Sequence, residues 1–233
     1  MSEPFAQQDV YCVNDRGDVE PLIPADARTA LDVGCGRGGF ALTLRRVLGP
    51  DARLIAIEPV PAQAQAARSQ PFDEVIEGFF PDALDGRDDS FDVISFNDVL
   101  EHFADPWEVL RECHRWLSPG GRVIAAIPNI QYWPAVLDLA NGKWEYTESG
   151  LMDITHLRFF TRSTIMSMFA STGYRVEQCL GAHSVWGVEW DPDRIENRVR
   201  RKVISVARGL LARARPDGQF LHFVVSAVPV DRT

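Results

Sequence analysis

Leu31-Asp32-Val33-Gly34-Cys35-Gly36-Arg37-Gly38-Gly39 is an apolar run that stops at an acid and turns through closely spaced glycines into the amphipathic segment Phe40–Leu48. Glycine lets a backbone bend sharply and approach a ligand where a Cβ would clash. The stretch therefore reads as a turn that cradles an adenosine-bearing cofactor. Gly34, Gly36 and Gly39 also satisfy G-x-G-x-x-G, the dinucleotide fingerprint, so the turn alone leaves the cofactor open.

Around this turn, apolar runs alternate with helical segments, the pattern of a parallel sheet covered on both faces. Strands are expected at Thr29–Val33, Leu54–Ile57, Glu74–Ile76, Phe91–Phe96 and Arg122–Ile127, the last entered through Ser118-Pro119-Gly120-Gly121. Two more strands are expected at Tyr174–Cys179 and Phe220–Val228. Helices are expected at Gly38–Leu48, Pro61–Ser69, Pro106–Trp116 and Ser163–Thr172, with Thr161 as the N-cap of the last. Ligands of such sheets sit at the carboxyl ends of the strands.

Composition bounds the alternatives. The 233 residues are 45% hydrophobic and 24% charged, which fits one soluble globular domain. No apolar run approaches the roughly 18–20 residues a bilayer span needs. The N-terminus shows no basic flank followed by an apolar core, and Cys12, Cys35, Cys113 and Cys179 lack paired spacing. A cytoplasmic protein is therefore expected. No carboxylate or histidine group shows evident ligand spacing, so no metal is expected. The net charge of −9 disfavours nucleic acid, although residues 191–215 carry a local +5 that leaves −14 for the remainder.

Glu58 ends the second strand, about twenty residues past the glycine turn, where a carboxylate accepts both hydroxyls of a ribose. Asp32, two residues before Gly34, stands where two phosphates would repel it but where a sulfonium cofactor with an ammonium tail would not. Asp32–Gly38 resembles motif I of class I S-adenosylmethionine-dependent methyltransferases. Phe91–His102 resembles their fourth-strand segment, and Leu117–Arg122 the turn into their fifth strand.

The resemblance implies an α/β, Rossmann-like, doubly wound sheet of seven mostly parallel strands whose last strand is antiparallel. It also implies roles. Gly34, Cys35, Gly36 and nearby backbone would lie along the methionine and ribose, with Asp32 near the ammonium. Glu58 would hold the ribose diol, Pro59 and Val60 would cover one adenine face, and Asn97 and Asp98 would border the sulfonium. Where relatives carry an acid for the adenine amine, this chain reads Glu77-Gly78-Phe79-Phe80. Phe79 would pack on the adenine, while Asp82 or a backbone carbonyl takes the amine. Glu101 and His102 read as residues that shape the start of a helix and order the fourth-strand loop, with direct catalysis by His102 as the alternative.

One domain is expected, comprising an N-terminal segment at 1–27, a cofactor core at 28–128, an aromatic lid insertion at 129–160 and a basic helical insertion at 181–218. Gly142–Tyr146 and Gly150–Thr161 resemble a bacterial methyltransferase subgroup associated with surface-glycan assembly, whose signature is Asp-x-Thr-His-x-Arg-Phe-Phe-Thr. In-line displacement on oxygen benefits from a general base. His156, three residues after Asp153, is the candidate, with the carboxylate orienting its imidazole on one helical face. A structural network of Asp153, Thr155, His156 and Arg158 anchoring the lid is the competing account. Tyr132, Trp133, Trp144 and Tyr146 suit either sugar faces or a lid core.

The expected activity is O-methylation of a glycan or related small metabolite. A quinone, polyketide or phenolic acceptor is the alternative, and an NAD-dependent oxidoreductase or a silent binding module stands further off. In 191–215, Ile195, Val199, Val203, Val206, Leu210 and Ala214 recur at helical steps. They fit packing on the domain or in a homodimer, peripheral contact with an anionic membrane, or binding of a phosphorylated acceptor.

Overall fold

The structure, a computed structural model, describes residues 15–184, 213 and 215–230. Its strands are β1 (Thr29–Val33), β2 (Arg53–Glu58), β3 (Glu74–Glu77), β4 (Phe91–Asn97), β5 (Leu117–Pro128), β6 (Tyr174–Ser184) and β7 (Phe220–Pro229). The helices are α1 (Phe40–Leu48), α2 (Pro61–Ala67), α3 (Pro106–Cys113), α4 (Trp133–Ala140) and α5 (Arg162–Ser171). The seven strands form one sheet in the order β3-β2-β1-β4-β5-β7-β6. β1 runs parallel to β2 and β4, and so do the pairs β2–β3 and β4–β5. β7 is antiparallel to both β5 and β6. This is the doubly wound α/β sheet expected.

Burial on both faces explains why the strands read as continuous apolar runs. Successive side chains point to opposite sides of a strand. Leu31, Ile55, Ile94, Ala125 and Val225 accordingly enter one core with Phe96, Phe169 and Phe223. Their chain neighbours Ala30, Leu54, Val93, Ile124 and Val224 enter the other, against Phe40, Leu44 and Leu48 of α1. The N-terminal segment contributes Val19, Leu22, Ile23 and Ala27 to that second core. The chain winds outward through β2 and β3, then returns to the other side of β1 at β4. This reversal beside β1 is the switch point at which such sheets form a ligand crevice.

Three differences from the sequence-based expectation have physical causes. β5 begins at Leu117 rather than Arg122, because a register shift between Phe91 and Val93 lets pairing with β4 continue around the glycine turn. A Cβ at Gly121 would lie 2.8 Å from the Phe91 carbonyl oxygen. Residues 181–184, expected to open the basic insertion, instead continue β6, whose pairing with β7 runs on to Ser184 and Phe220. Finally, the insertion at 129–160 contains α4, which buries none of its residues. The amphipathic stretch at 191–215 lies, but for 213 and 215, outside the described residues. No helix among the described residues is long and apolar enough to cross a membrane.

The two ends of the insertion meet. Asn129 and Phe160 form a parallel bridge, and the Asn129 side-chain amide donates to the carbonyls of Asp217 and Phe220. α5 then starts at a reciprocal cap: Thr161 Oγ1 accepts from the Thr164 amide and Thr164 Oγ1 from the Thr161 amide. Losing such a cap costs about 1 kcal/mol. Thr161→Ala should lower the urea-unfolding free energy by about that amount, while Thr161→Ser should leave it nearly unchanged.

Candidate functional site

The crevice is built from strand ends. The amides of Gly34 and Cys35 both donate to the Ile57 carbonyl, at 2.8 and 3.2 Å, which ties the glycine turn to the tip of β2. There Glu58 spans two loops. One carboxylate oxygen accepts from the Gly36 amide at 2.8 Å and the other from the Val60 amide at 2.9 Å. Burial raises the Glu58 carboxyl above its usual range, while the two amides favour the charged form.

The glycines do different jobs. Gly34, Gly36 and Gly38 have φ of 67°, 55° and 82°, a region that side-chain-bearing residues seldom enter. A Cβ on Gly34 would come within 2.8 Å of Val99 Cγ2, so this glycine lets the β1 turn pack against the β4 loop. At Gly36 the one near atom is Gln63 Oε1 at 3.1 Å, so that backbone faces more open space. Pro59 and Val60 are half-buried beside it, and Phe79, just past β3, is 59% exposed.

Asp32 is buried beneath the turn. Its Oδ1 accepts from Ser95 Oγ at 2.8 Å and Asn97 Nδ2 at 3.3 Å. Burial lifts its carboxyl to about 7 despite those two bonds. Asn97 Oδ1 is buried without a partner among the described residues, an acceptor left over beside the crevice. A glycine cradle, a strand-tip carboxylate anchored by amides and an unpartnered acceptor fit a cofactor with a ribose and an amino-acid tail.

Asp98 sits in a left-handed conformation, φ 57°, and is clamped from two sides. His222 of β7 lies 3.2 Å away, and Arg16, itself at φ 53°, makes a short ion pair. Burial opposes the charge on Asp98, but His222 and Arg16 outweigh it and hold the carboxyl down to about 2. Arg16 also pairs with Asp18 at 3.0 Å. Neither Arg16 nor His222 was anticipated, because nothing in local spacing links residue 16 or 222 to 98. β7 lying beside β5 brings His222 to Asp98, and Arg16 arrives from the segment before β1.

The insertion is stitched to the β4 loop by its own signature. The amides of Leu157 and Arg158 donate to the Glu101 carbonyl at 2.9 and 3.0 Å, and the Arg158 guanidinium donates to the Ala104 carbonyl. Asp153 accepts from the Thr155 amide at 2.8 Å and from its hydroxyl at 2.7 Å. Thr155 in turn meets His102 Nδ1, with its Oγ1 at 3.1 Å and its carbonyl at 3.3 Å. The imidazole of His156 is oriented by the Leu151 carbonyl, 3.0 Å from Nδ1, whereas the sequence led us to expect Asp153 there. The segment is a turn rather than a helix, which directs the Asp153 carboxylate to Thr155. Asp153 reaches the ring by its charge, which favours protonation, but burial outweighs this and lowers the basicity of both His156 and His102.

His156 Nε2 faces Glu101 at 3.8 Å, and the His102 and His156 rings meet edge-on with centroids 4.8 Å apart. Glu101 is 1% exposed, and burial first, then the charge of Asp98, drives its carboxyl well above the usual range. One donor atom from each of Glu101, His102 and His156 lies within 4.8 Å of the others. Sequence spacing concealed this trio because two members come from the β4 loop and the third from the insertion. Around it, Phe159 stacks edge-on with Trp144 at 5.4 Å, and Trp144 and Tyr146 are 41% and 54% exposed.

The close approach of Gly34 to Val99 is testable. Gly34→Ala combines a strained φ with overpacking and should cost about 2–4 kcal/mol in denaturant unfolding. Gly86→Ala carries φ 77° with nothing within 4 Å of the new Cβ, so it should lose only the backbone term, about 1 kcal/mol.

Comparison with known proteins accords with this geometry. A 37.1 kDa protein of transposon TN4556 in Streptomyces fradiae is 37% identical over 111 residues, 45% of this chain and 32% of that protein. A ubiquinone biosynthesis O-methyltransferase of Xanthomonas axonopodis pv. citri is 28% identical over 167 residues, 69% of this chain and 67% of that protein. The chain thus spans about a third of the first relative's length and two thirds of the second's. A SAM-dependent methyltransferase from Archaeoglobus fulgidus shares the fold at 19% identity with a TM-score of 0.62, over 89% of this chain and 88% of that one. Residues 16–179 match the methyltransferase domain family, a span from the Arg16 clamp through the glycine turn and the insertion to β6, and the chain belongs to that family.

Proposed function

We propose that this protein transfers a methyl group from S-adenosylmethionine to a hydroxyl oxygen of a small organic acceptor. The observation that carries this is Glu58, a strand-tip carboxylate pinned by the Gly36 and Val60 amides beside a glycine turn. S-adenosylmethionine, when bound, supplies an electrophilic methyl on a positively charged sulfur. Glu58 would hold the ribose hydroxyls, with Gly34, Cys35 and Gly36 along the chain of the ligand. Pro59 and Phe79 would bracket the adenine, Asp32 would face the ammonium, and Asn97 and Asp98 would border the methyl.

On the acceptor side, His156 is the residue we assign to the hydroxyl proton. Its Nδ1 is committed to the Leu151 carbonyl, which leaves Nε2 to accept. Asp153 supports it through charge and by holding Thr155 in place. The insertion, pinned to the β4 loop through Leu157 and Arg158, would exclude water from the transfer. Its signature thus serves both anchoring and chemistry, divided among different side chains.

A phenolic or quinone-type acceptor is favoured by the ubiquinone O-methyltransferase relatives. A sugar acceptor is favoured by the exposed faces of Trp144 and Tyr146 and by the glycan-associated signature. Fold alone does not choose between them. Methyl-labelled S-adenosylmethionine offered with catechols, hydroxyquinols and nucleotide sugars should label one oxygen acceptor in a single class. Absence of calorimetric binding for both S-adenosylmethionine and S-adenosylhomocysteine would overturn the assignment.

Asp32 supplies a pH signature. With its carboxyl at about 7, the protein is partly protonated there at neutral pH. A ligand ammonium favours the ionised form, so binding below pH 7 must expel a proton. Affinity for S-adenosylhomocysteine should weaken up to about tenfold per pH unit below 7. In Asp32→Asn it should be weaker at pH 8 and flat across that range.

A further inference from the structure

We propose that Glu101, His102 and His156 form a binding site for one divalent cation of the zinc class, next to the acceptor's position. Glu101 is 1% exposed, and neither carboxylate oxygen has a hydrogen-bond partner among the described residues. Buried carboxylates without donors are rare because each unsatisfied oxygen keeps its full desolvation penalty. Instead of donors, Glu101 faces the Nε2 of one imidazole at 3.8 Å, with Asp98 and Asp153 adding further negative charge around it. Arg16 contributes positive charge to this carboxyl from outside the trio.

Both histidines are set as ligands usually are. A metal-bound imidazole typically donates its second ring N–H to a carbonyl or carboxylate, which fixes the tautomer and aims the lone pair. His156 Nδ1 is tied to the Leu151 carbonyl. His102 Nδ1 is tied to Thr155, whose hydroxyl donates onward to Asp153. Each ring therefore keeps one nitrogen with a free lone pair. Two imidazoles and a carboxylate with open positions are the donor set of catalytic rather than structural zinc centres. The 3.8 Å between His156 Nε2 and Glu101 Oε1 is close to the ligand–ligand separation of about 3.4 Å implied by bonds of about 2.1 Å. The donor atoms of the trio lie within 4.8 Å of one another, so closing on an ion draws them together by up to about 1.4 Å.

The site deepens the function proposed above and rests on it for its role. A cation there takes the acceptor hydroxyl in an open position and acidifies it. The hydroxyl proton leaves to solvent as the acceptor binds, before water is excluded; then the O–C bond forms as the S–C bond breaks, and sulfur keeps the electron pair. His156 is the base of the ion-free protein and a ligand of the loaded one. Vicinal dihydroxy acceptors, catechols among them, suit this arrangement because they can fill two open positions.

The full chain, stripped with a chelator and freed of it, is titrated with Zn²⁺ by calorimetry and with Co²⁺ by visible absorption. One ion per chain with tetrahedral-type Co²⁺ bands is expected, lost in Glu101→Gln and His156→Gln. Thr155→Val should weaken it by about 10–100-fold. Should those variants not fold, Zn²⁺ added to the unmodified protein should shift the ring-nitrogen resonances of two histidines only. No stoichiometric binding, or binding indifferent to all three substitutions, overturns the site. Undiminished methyl transfer by the stripped protein overturns its catalytic role, leaving His156 as base. S-adenosylhomocysteine binding, measured in parallel, reports separately on the methyltransferase assignment and should be unchanged by the substitutions.

Discussion

The crevice depends on one carboxylate serving two loops. Glu58 ends β2 with an amide from each side on its oxygens, so the glycine turn after β1 and the turn into α2 are held as one surface. That geometry requires the β1–β2 register, in which Val33 lies opposite Ile57. It also requires Gly34, which lets the turn settle on Val99 of the neighbouring loop. A charged group is worth burying at this point because its donors are backbone, fixed before any ligand arrives. Asp32 and Asp98 extend the same logic to β1 and to the end of β4. The first is held by Ser95 and Asn97, the second by Arg16 and His222. Three acids at three adjacent strand ends are thus each stabilised differently, with the carboxyl held down to about 2 at Asp98, lifted to about 7 at Asp32 and raised by burial at Glu58.

How much of this was legible in the sequence follows from the range of the interactions. The strands were visible because each is buried on both faces and reads as an apolar run. Glu58, Asp32 and the glycines were visible because the turn chemistry is local. Thr161 announced α5 for the same reason. Arg16 and His222 left no trace, since they meet Asp98 through the packing of the segment before β1 and through sheet order rather than through spacing. α4 was hidden inside a stretch whose aromatics suggested a lid, and it buries no residue that would give a helical pattern of burial.

The signature around His156 was partly legible. Its residue types pointed both to a base and to a polar network. Asp153, Thr155 and Arg158 spend their polar atoms on local anchoring, whereas His156 keeps one nitrogen uncommitted. Glu101 read as a loop-shaping residue, and its backbone does that through the Leu157 and Arg158 amides. Its side chain is another matter, because a buried, unpartnered carboxyl cannot be recognised without knowing what surrounds it.

The bridge between Asn129 and Phe160 closes the inserted stretch into a loop whose two feet stand side by side on the sheet. Lengthening a loop closed at its feet costs little entropy, so the demands it makes on the scaffold are those of Thr155, Leu157 and Arg158 against the β4 loop. Under the function proposed above, the stretch between these feet is the part that can vary with the acceptor while the crevice that would hold the donor keeps its form.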